Sequence, residues 1–352
     1  MGQRIVIMAG GTGGHVFPAL AVAHYLKAKD WDVSWIGTKK GMESKVIPDN
    51  GIEIDWLSVQ GIRGKGLGAK INNLKLMVKA FWEAFKILRK RKPNVVLGMG
   101  GYVAGPGGVV ASLMGIPLII HEQNRIPGTT NRLLVKKANR VLEAFPNSFP
   151  STTTATFTGN PLRTHFLDFP EKEFWTAEKN SPFRILIVGG SQGAKVLNDI
   201  VPATAAHLSD IEIKHQTGTA ALELVAKKYA ELNIEAEAIE FIDDIASAYQ
   251  WADVVICRSG AMTVSEVAAV GIPAIFIPLP HAIDDHQTAN ARYLYDDGGA
   301  VLLDQSEFNE TSLMMAIQHV KSSMKAMTKV VKEKAKLDAT AVVANICIQE
   351  AK

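Results

Sequence analysis

Met8-Ala-Gly-Gly-Thr-Gly-Gly-His15 decides how the rest of the chain is read. Before it, Gln3–Met8 is a short apolar run with the pattern of a buried strand. After it, Val16–Lys29 spaces Val16, Leu20, Ala23 and Leu26 as one face of a helix. Glycines between a strand and a helix permit a sharp turn and let a ligand approach bare amides. An anion or a sugar can then sit over the helix start, with His15 beside it. The alternative is a tight strand-to-helix turn without a ligand. So much Gly, Thr and His in so few residues favours one wall of an active site.

The same arrangement returns in the second half. Phe183–Val188 reads as a strand, Gly189-Gly-Ser-Gln-Gly-Ala194 as a glycine loop, and a helix runs on to about His207. Around the first loop, the strands Val33–Gly37, Ile52–Val59, Val95–Gly98 and Leu118–His121 alternate with helical stretches. Around the second, Ile211–Gln216, Ala238–Ile242, Val254–Cys257 and Ala274–Pro278 do so. Such alternation predicts α/β architecture with parallel sheets. The economical arrangement is two Rossmann-like, doubly wound domains facing a cleft, with a boundary near Gly159-Asn-Pro-Leu-Arg163. Residues 1–160 form the first domain and 161–337 the second. The helical tail, 338–352, carries Ala339, Val342, Val343 and Ile346 on one face and returns to the first domain.

Length and composition agree with this. A chain of 352 residues exceeds most single cores, and 47% hydrophobic with 21% charged residues is globular. A net charge of +3 does not suggest a nucleic-acid partner. Cys257 and Cys347 lack metal-type spacing and fit a reducing compartment. No secretory signal is visible. Pro93–His121 has no Asp, Glu, Lys or Arg and is long enough to span a bilayer, but its glycines and prolines read as strand, loop, helix and strand in a soluble core.

Polar or glycine-rich clusters fall at predicted strand ends, where open α/β sheets bind ligands: Gly10–His15, Gly98–Tyr102 and His121-Glu-Gln-Asn124. Neither glycine loop fits G-x-G-x-x-G, since Val16 and Gln192 stand where glycine is needed. The second strand of each half lacks the terminal acid that holds a nicotinamide ribose, which argues against an oxidoreductase. There is no Walker motif. In the second half, Glu240–Asp244, Arg258–Glu266 and Asp285-His-Gln287 lie at or after strand ends. Small residues at Ser259, Gly260 and Ala261 leave the helix-start amides open to a diphosphate. Glu266 follows, placed either for ribose hydroxyls or for ordinary dipole complementation. Cys257 reads as a buried strand residue rather than a nucleophile.

Taken together, these motifs resemble the MurG family. They are Gly10–His15 with Phe17–Val22, Gly100–Tyr102, His121–Asn124, Thr130–Arg132, Gly159–Arg163, Gly189–Ala194, Phe241–Asp244 and Arg258–Glu266, in one order along essentially the whole chain. The resemblance implies a GT-B fold and inverting transfer of N-acetylglucosamine from UDP-GlcNAc to the muramoyl 4-hydroxyl of lipid I, giving lipid II. It places Ser191 on the diphosphate, Arg163 near the same donor, and the Ile242 backbone on the uracil. It has Ala261, Met262, Thr263, Val264, Ser265 and Glu266 cradling phosphate and ribose, and Gln287 and Asn124 on the sugar. Thr12, Gly13 and Gly14 reach the donor from the other domain. Met262 and Lys195 depart from the expected Leu and Arg, and Pro280–Asp285 aligns least well. The resemblance also implies a peripheral enzyme on the cytoplasmic face of the bacterial inner membrane, with cell-wall synthesis and division proteins as partners.

Glycosyl transfer with inversion needs a base for the acceptor hydroxyl and stabilisation of the departing UDP charge. Glycine loops and helix starts supply the second without an obligatory metal or cofactor, and no Asp-x-Asp motif is placed to hold a metal on the diphosphate. His15 is the candidate base, since histidine titrates near neutral pH. Its alternative is a structural or phosphate-facing role. Tyr102 and Asn124 are candidates for positioning substrate. For the membrane, Ile71, Leu74, Val78, Phe81, Trp82 and Phe85 lie near one helical face, with Lys75 and Lys79 among the flanking cations. That pattern suits either anionic lipid or a core-packing helix with solvated lysines. Competing functions are a related UDP-sugar enzyme, such as a 2-epimerase or another glycosyltransferase, and a non-catalytic nucleotide-sugar-binding protein.

Overall fold

The computed structural model describes residues 2–59, 67–167, 175–176, 181–190, 193–280 and 285–351, with residues 67–74 described by their backbone alone. The chain divides into two compact units, Met1–Arg163 with Leu337–Lys352, and Thr164–Lys336.

The N-terminal unit runs β1 (Arg4–Met8), α1 (Gly13–Lys27), β2 (Asp32–Gly37), α2 (Glu43–Asp49), β3 (Glu53–Trp56) and α3 (Leu67–Arg91). It continues with β4 (Val95–Gly98), α4 (Ala104–Leu113), β5 (Leu118–Glu122), α5 (Thr129–Leu134), β6 (Arg140–Glu143) and β7 (Ala155–Phe157). Its strands form a seven-stranded sheet in the order β3-β2-β1-β4-β5-β6-β7, every pairing parallel. A parallel strand covered on both faces must be apolar at consecutive positions. In β1, Ile5 and Ile7 enter one core cluster while Val6 and Met8 enter the other. The apolar segment Pro93–His121 contributes β4, α4 and most of β5, and no helix among the described residues is long and apolar enough to cross a membrane.

The C-terminal unit runs β8 (Phe183–Val188), α6 (Lys195–Ala205), β9 (Ile211–Gln216), α7 (Leu222–Glu231), β10 (Ala236–Ile239), α8 (Ile245–Trp251) and β11 (Val254–Cys257). Then come α9 (Ala261–Val270), β12 (Ala274–Phe276), α10 (His286–Tyr295), β13 (Ala300–Leu302) and α11 (Glu310–Lys334). Its six-stranded parallel sheet has the order β10-β9-β8-β11-β12-β13. The last helix, α12 (Ala339–Glu350), belongs to the N-terminal unit, where Val343, Ala344 and Cys347 join the cluster that contains Val16 and Leu20 of α1. Thr340 Oγ1 donates to the Leu162 carbonyl (3.1 Å), tying that helix to the end of the unit's main segment.

Strand ends depart from the sequence reading at identifiable places. The strand read as Ile52–Val59 stops at Trp56, because Ser58 gives its N–H and hydroxyl to Glu83 on α3. The strand read as Ala238–Ile242 is Ala236–Ile239, and the Ile242 N–H turns to Gln216 Oε1 instead of a ladder partner. Three short strands, β6, β7 and β13, and helix α2 carry too few residues for a period to stand out.

Candidate active site

In each sheet the strand order reverses between two central neighbours, β1 and β4 in one and β8 and β11 in the other. Beyond the carboxyl ends of such a pair the connecting loops diverge and leave a crevice.

In the N-terminal unit the loops after β1 and β4 interlock. Gly101 has φ +77°, and a Cβ there would lie 2.4 Å from the Gly10 carbonyl oxygen. Gly100 has φ +91°, and its Cβ would press to 3.0 Å against His15 Cε1 and Nδ1. Glycine at both positions therefore lets the second loop close against the first and flatten against the imidazole. From below, the fully buried Glu43 accepts the Gly11 N–H (3.0 Å), the Thr38 N–H (2.9 Å) and the Thr38 hydroxyl (2.8 Å).

The loop after β5 supplies the third side. Buried Glu122 accepts the Asn124 N–H (3.0 Å), the Gly128 N–H (3.0 Å) and Asn131 Nδ2 (2.8 Å), so it shapes the turn that carries Asn124. Gln123, also buried, contacts His15 Nδ1 through Oε1 (2.8 Å). Its Nε2 reaches His121 Nδ1 (3.0 Å) and the His121 carbonyl (3.2 Å). His121 Nε2 faces the Gly159 carbonyl (3.0 Å), and complete burial lowers its pKa from 6.5 to about 4, so it is neutral. Tyr102 is exposed beyond the second loop. Thr12, Gly13 and Gly14 form the start of α1, whose Thr12 N-cap makes no side-chain capping bond, a helix end with amides to offer. Arg163 lies in this unit, its guanidinium over the Phe17 ring at 5.4 Å.

In the C-terminal unit the glycine loop after β8 folds as closely. Gly193 has φ +71°, and a Cβ there would stand 2.0 Å from the Thr217 carbonyl oxygen. Gln216 bridges this loop to the next: its Nε2 donates to the Gly190 carbonyl (2.8 Å) and its Oε1 accepts the Ile242 N–H (3.3 Å). Ser191 lies outside the described residues. Below, buried His215 contacts Asn198 and Tyr229, and burial takes its pKa down to about 3. This histidine is a neutral structural group.

After β11, Gly260 is extended and caps α9 without a side chain, and no acid occupies the first turn. Ser259 just before it is fully buried, and its hydroxyl has no hydrogen-bond partner among the described residues. A buried hydroxyl left in this way is costly unless a ligand meets it. Ala261 and Val264 are buried, whereas Met262, Thr263, Ser265 and Glu266 are half-buried. Arg258 serves the fold: its guanidinium donates to the Ile277 and Pro278 carbonyls and to Gln305. Burial, with the Glu266 charge, raises the Cys257 thiol far above its ordinary range, so it is no nucleophile. Gln287 accepts the Leu279 N–H (2.9 Å) through Oε1.

Four residues that hold the site had no role in the sequence reading: Thr38, Glu43, Glu122 and Gln123. Gln123 lies inside the quoted His121–Asn124 motif, which was the available signal. Glu43 is a lone acid at a short helix start, and nothing in the sequence tied it to Gly11.

On the membrane question, Val78 (63% exposed) and Trp82 (57%) project from α3, as do Lys75 and Lys79, whereas Phe81 and Phe85 are half-buried against the core. The side chains of Ile71 and Leu74 lie outside the described residues. On neighbouring helices, Leu113 (77% exposed) and Leu133 (71%) project as well.

The comparisons follow the division into units. Residues 5–143 match the glycosyltransferase family 28 N-terminal domain, and 184–345 match the C-terminal domain of the same family. A UDP-N-acetylglucosamine–N-acetylmuramyl-(pentapeptide) pyrophosphoryl-undecaprenol N-acetylglucosamine transferase from Methylococcus capsulatus is 51% identical, over 100% of this chain and 99% of the relative. The enzyme of that name from Tolumonas auensis is 47% identical over 99% of both chains. The crystal structure of Acinetobacter baumannii MurG is similar with a TM-score of 0.85, at 39% identity over 99% of each chain.

Proposed function

The chain belongs to the MurG family, within glycosyltransferase family 28, and we propose the following division of labour for its two units. The enzyme transfers N-acetylglucosamine from UDP-N-acetylglucosamine to lipid I, forming lipid II. The observation that carries this reading is full-length similarity at about half identity, combined with a glycine loop at the reversal point of each sheet.

The donor belongs to the C-terminal unit. Helix-start N–H groups of α6 and α9 suit a diphosphate, and the buried Ser259 hydroxyl adds a donor beside it. Ser191 also belongs to the phosphate site, Glu266 to the ribose hydroxyls and the Ile242 backbone to the uracil. Gln287 and Asn124 bind the sugar, while Arg163 and Thr12–Gly14 contribute charge and amides.

The acceptor belongs to the N-terminal unit, with His15 as base and Tyr102 and Asn124 as positioning groups. The 4-hydroxyl gives its proton to His15 Nε2, and its oxygen bonds to the anomeric carbon on the face opposite UDP. The bond to the diphosphate oxygen breaks, and its electron pair leaves on UDP. Fixed amide donors stabilise that charge without reorganising as it develops.

Supply of the acceptor from a bilayer fits a peripheral enzyme whose contact face includes Val78 and Trp82, flanked by Lys75 and Lys79. The reading includes a position on the cytoplasmic face of the inner membrane, with cell-wall synthesis and division proteins as partners.

The deciding experiment supplies UDP-N-acetylglucosamine with and without a lipid I analogue. UDP release that needs the analogue, with transfer of the sugar to it, is expected. Epimerisation of the donor, or binding without turnover, would overturn the reading. His15→Ala should lower kcat by about 100-fold or more with little change in UDP-sugar affinity.

A further inference from the structure

The contacts of His15 determine where its proton lies. The chain of hydrogen bonds behind it reaches two carbonyl oxygens, which only accept, and the Thr158 hydroxyl, which lies 3.2 Å from His121 Nε2 and gives its own hydrogen to the Gly159 carbonyl (2.9 Å). The Gly159 carbonyl lies 3.0 Å from His121 Nε2, so that nitrogen carries the hydrogen. With His121 neutral, its Nδ1 is then a lone pair and accepts from Gln123 Nε2 (3.0 Å). The second hydrogen of that amide goes to the His121 carbonyl (3.2 Å), which independently fixes the same orientation of the Gln123 side chain. Gln123 Oε1 is thereby turned to His15 Nδ1 (2.8 Å) and requires a hydrogen on it. Reversing the amide would set its oxygen against a carbonyl oxygen and its N–H donors toward His15.

We propose that Gln123 and His121 are positioning residues that hold neutral His15 as the Nδ1–H tautomer and so leave the lone pair on Nε2 as the proton acceptor. The proposal rests on the reading of His15 as the base. Free histidine prefers the opposite tautomer, with the hydrogen on Nε2, which would present a donor to the substrate hydroxyl where an acceptor is needed. The relay removes that competing state. Burial makes the setting firm: Gln123 is 1% exposed and His121 is 0% exposed, so water does not replace either partner. Gly100 packs against the imidazole, since any Cβ there would crowd Cε1 and Nδ1.

Two independent arms test this on the full chain. Long-range proton–nitrogen spectra of 15N-histidine-labelled wild-type enzyme, recorded at alkaline pH, read each tautomer, with His15→Ala identifying the His15 signals. A pyridine-type Nε2 with a pyrrole-type Nδ1 is expected for His15, and the reverse for His121. Gln123→Met keeps the length of the side chain and removes the amide. It should return His15 toward the Nε2–H form and lower kcat by about 10- to 100-fold, leaving KM for UDP-N-acetylglucosamine nearly unchanged. A hydrogen on His15 Nε2 in the wild type would overturn the relay, and the base assignment would stand if His15→Ala is inactive. Turnover surviving His15→Ala would overturn the base assignment, and with it the catalytic purpose of the relay, whatever tautomer the spectra show.

Discussion

The Glu43 carboxylate accepts the Gly11 N–H at 3.0 Å from a fully buried position, and its other oxygen takes both the N–H and the hydroxyl of Thr38. One side chain from α2 thus fixes the glycine loop that precedes His15. Gly10, Gly37 and Gly41 crowd around it, each with a would-be Cβ within 3 Å of its atoms.

Glu43→Gln tests whether this carboxylate is needed as an acceptor on both sides. An amide has one oxygen, so it can serve Gly11 or Thr38 but must point an N–H donor at the other. The expected cost is about 1–3 kcal/mol of stability in the N-terminal unit, with kcat falling and donor affinity retained. Urea unfolding followed beside steady-state kinetics reads both, and an unchanged midpoint with normal kcat would refute the account.

The C-terminal glycine loop makes a sharper prediction. A Cβ at Gly193 would meet the Thr217 carbonyl oxygen at 2.0 Å, and backbone cannot move aside as a flexible side chain can. Gly193→Ala should weaken UDP binding by about tenfold or more, since the loop must shift away from the start of α6, and each tenfold corresponds to about 1.4 kcal/mol. Gly115→Ala is the control. It has a similar φ of +69° but nothing within 4 Å, so only the left-handed backbone cost of about 1 kcal/mol applies. Calorimetric titration with UDP should separate the two variants.

Much of this was legible in the sequence, because apolar runs of parallel strands and glycine-rich turns are local signals. Val95–Gly98, Phe183–Val188, Ile211–Gln216 and Val254–Cys257 are strands with the bounds read from the sequence. The second-half loop was recognised from its likeness to the first. What remained hidden depends on contacts between distant residues. Glu43 reaches Gly11 across 32 positions, and Gln123 reaches His15 across 108. Neither a period nor a spacing encodes such pairings. The strand near Ile242 was misplaced for a related reason: Gln216, from the neighbouring strand, takes the Ile242 N–H.

The buried histidines give the enzyme an acid limit. His121 falls from 6.5 to about 4 on burial, so the unfolded chain takes up a proton at higher pH than the folded one. Stability from this group is therefore full above about pH 6.5 and is lost as pH falls toward about 4, at a slope of up to about 1.4 kcal/mol per pH unit. His215, lowered to about 3, acts with the same sign in the C-terminal unit. Urea midpoints measured from about pH 7 down to about pH 5 should fall. His121→Asn should flatten that fall for the N-terminal unit even if it lowers stability at neutral pH. A slope unchanged in the variant would show that other groups dominate.

The proposed membrane association can be tested apart from folding because the α3 stripe divides by exposure. Phe81 and Phe85 are half-buried against the core, so charging them would damage the fold and leave the result ambiguous. Val78 and Trp82 face outward, and Lys86 lies 5.2 Å over the Trp82 ring, an apolar surface with a cation at its edge. Such a surface gains from apolar burial at the interface and from attraction to anionic headgroups, the latter worth about 1 kcal/mol per basic residue near the surface. Val78→Glu with Trp82→Glu should abolish sedimentation with anionic vesicles, leave the melting transition in place, and retain turnover of a water-soluble lipid I analogue. Raising salt should weaken wild-type binding to anionic vesicles, because the charge contribution is screened. Vesicle binding that survives the double substitution would rule out this face as a membrane contact.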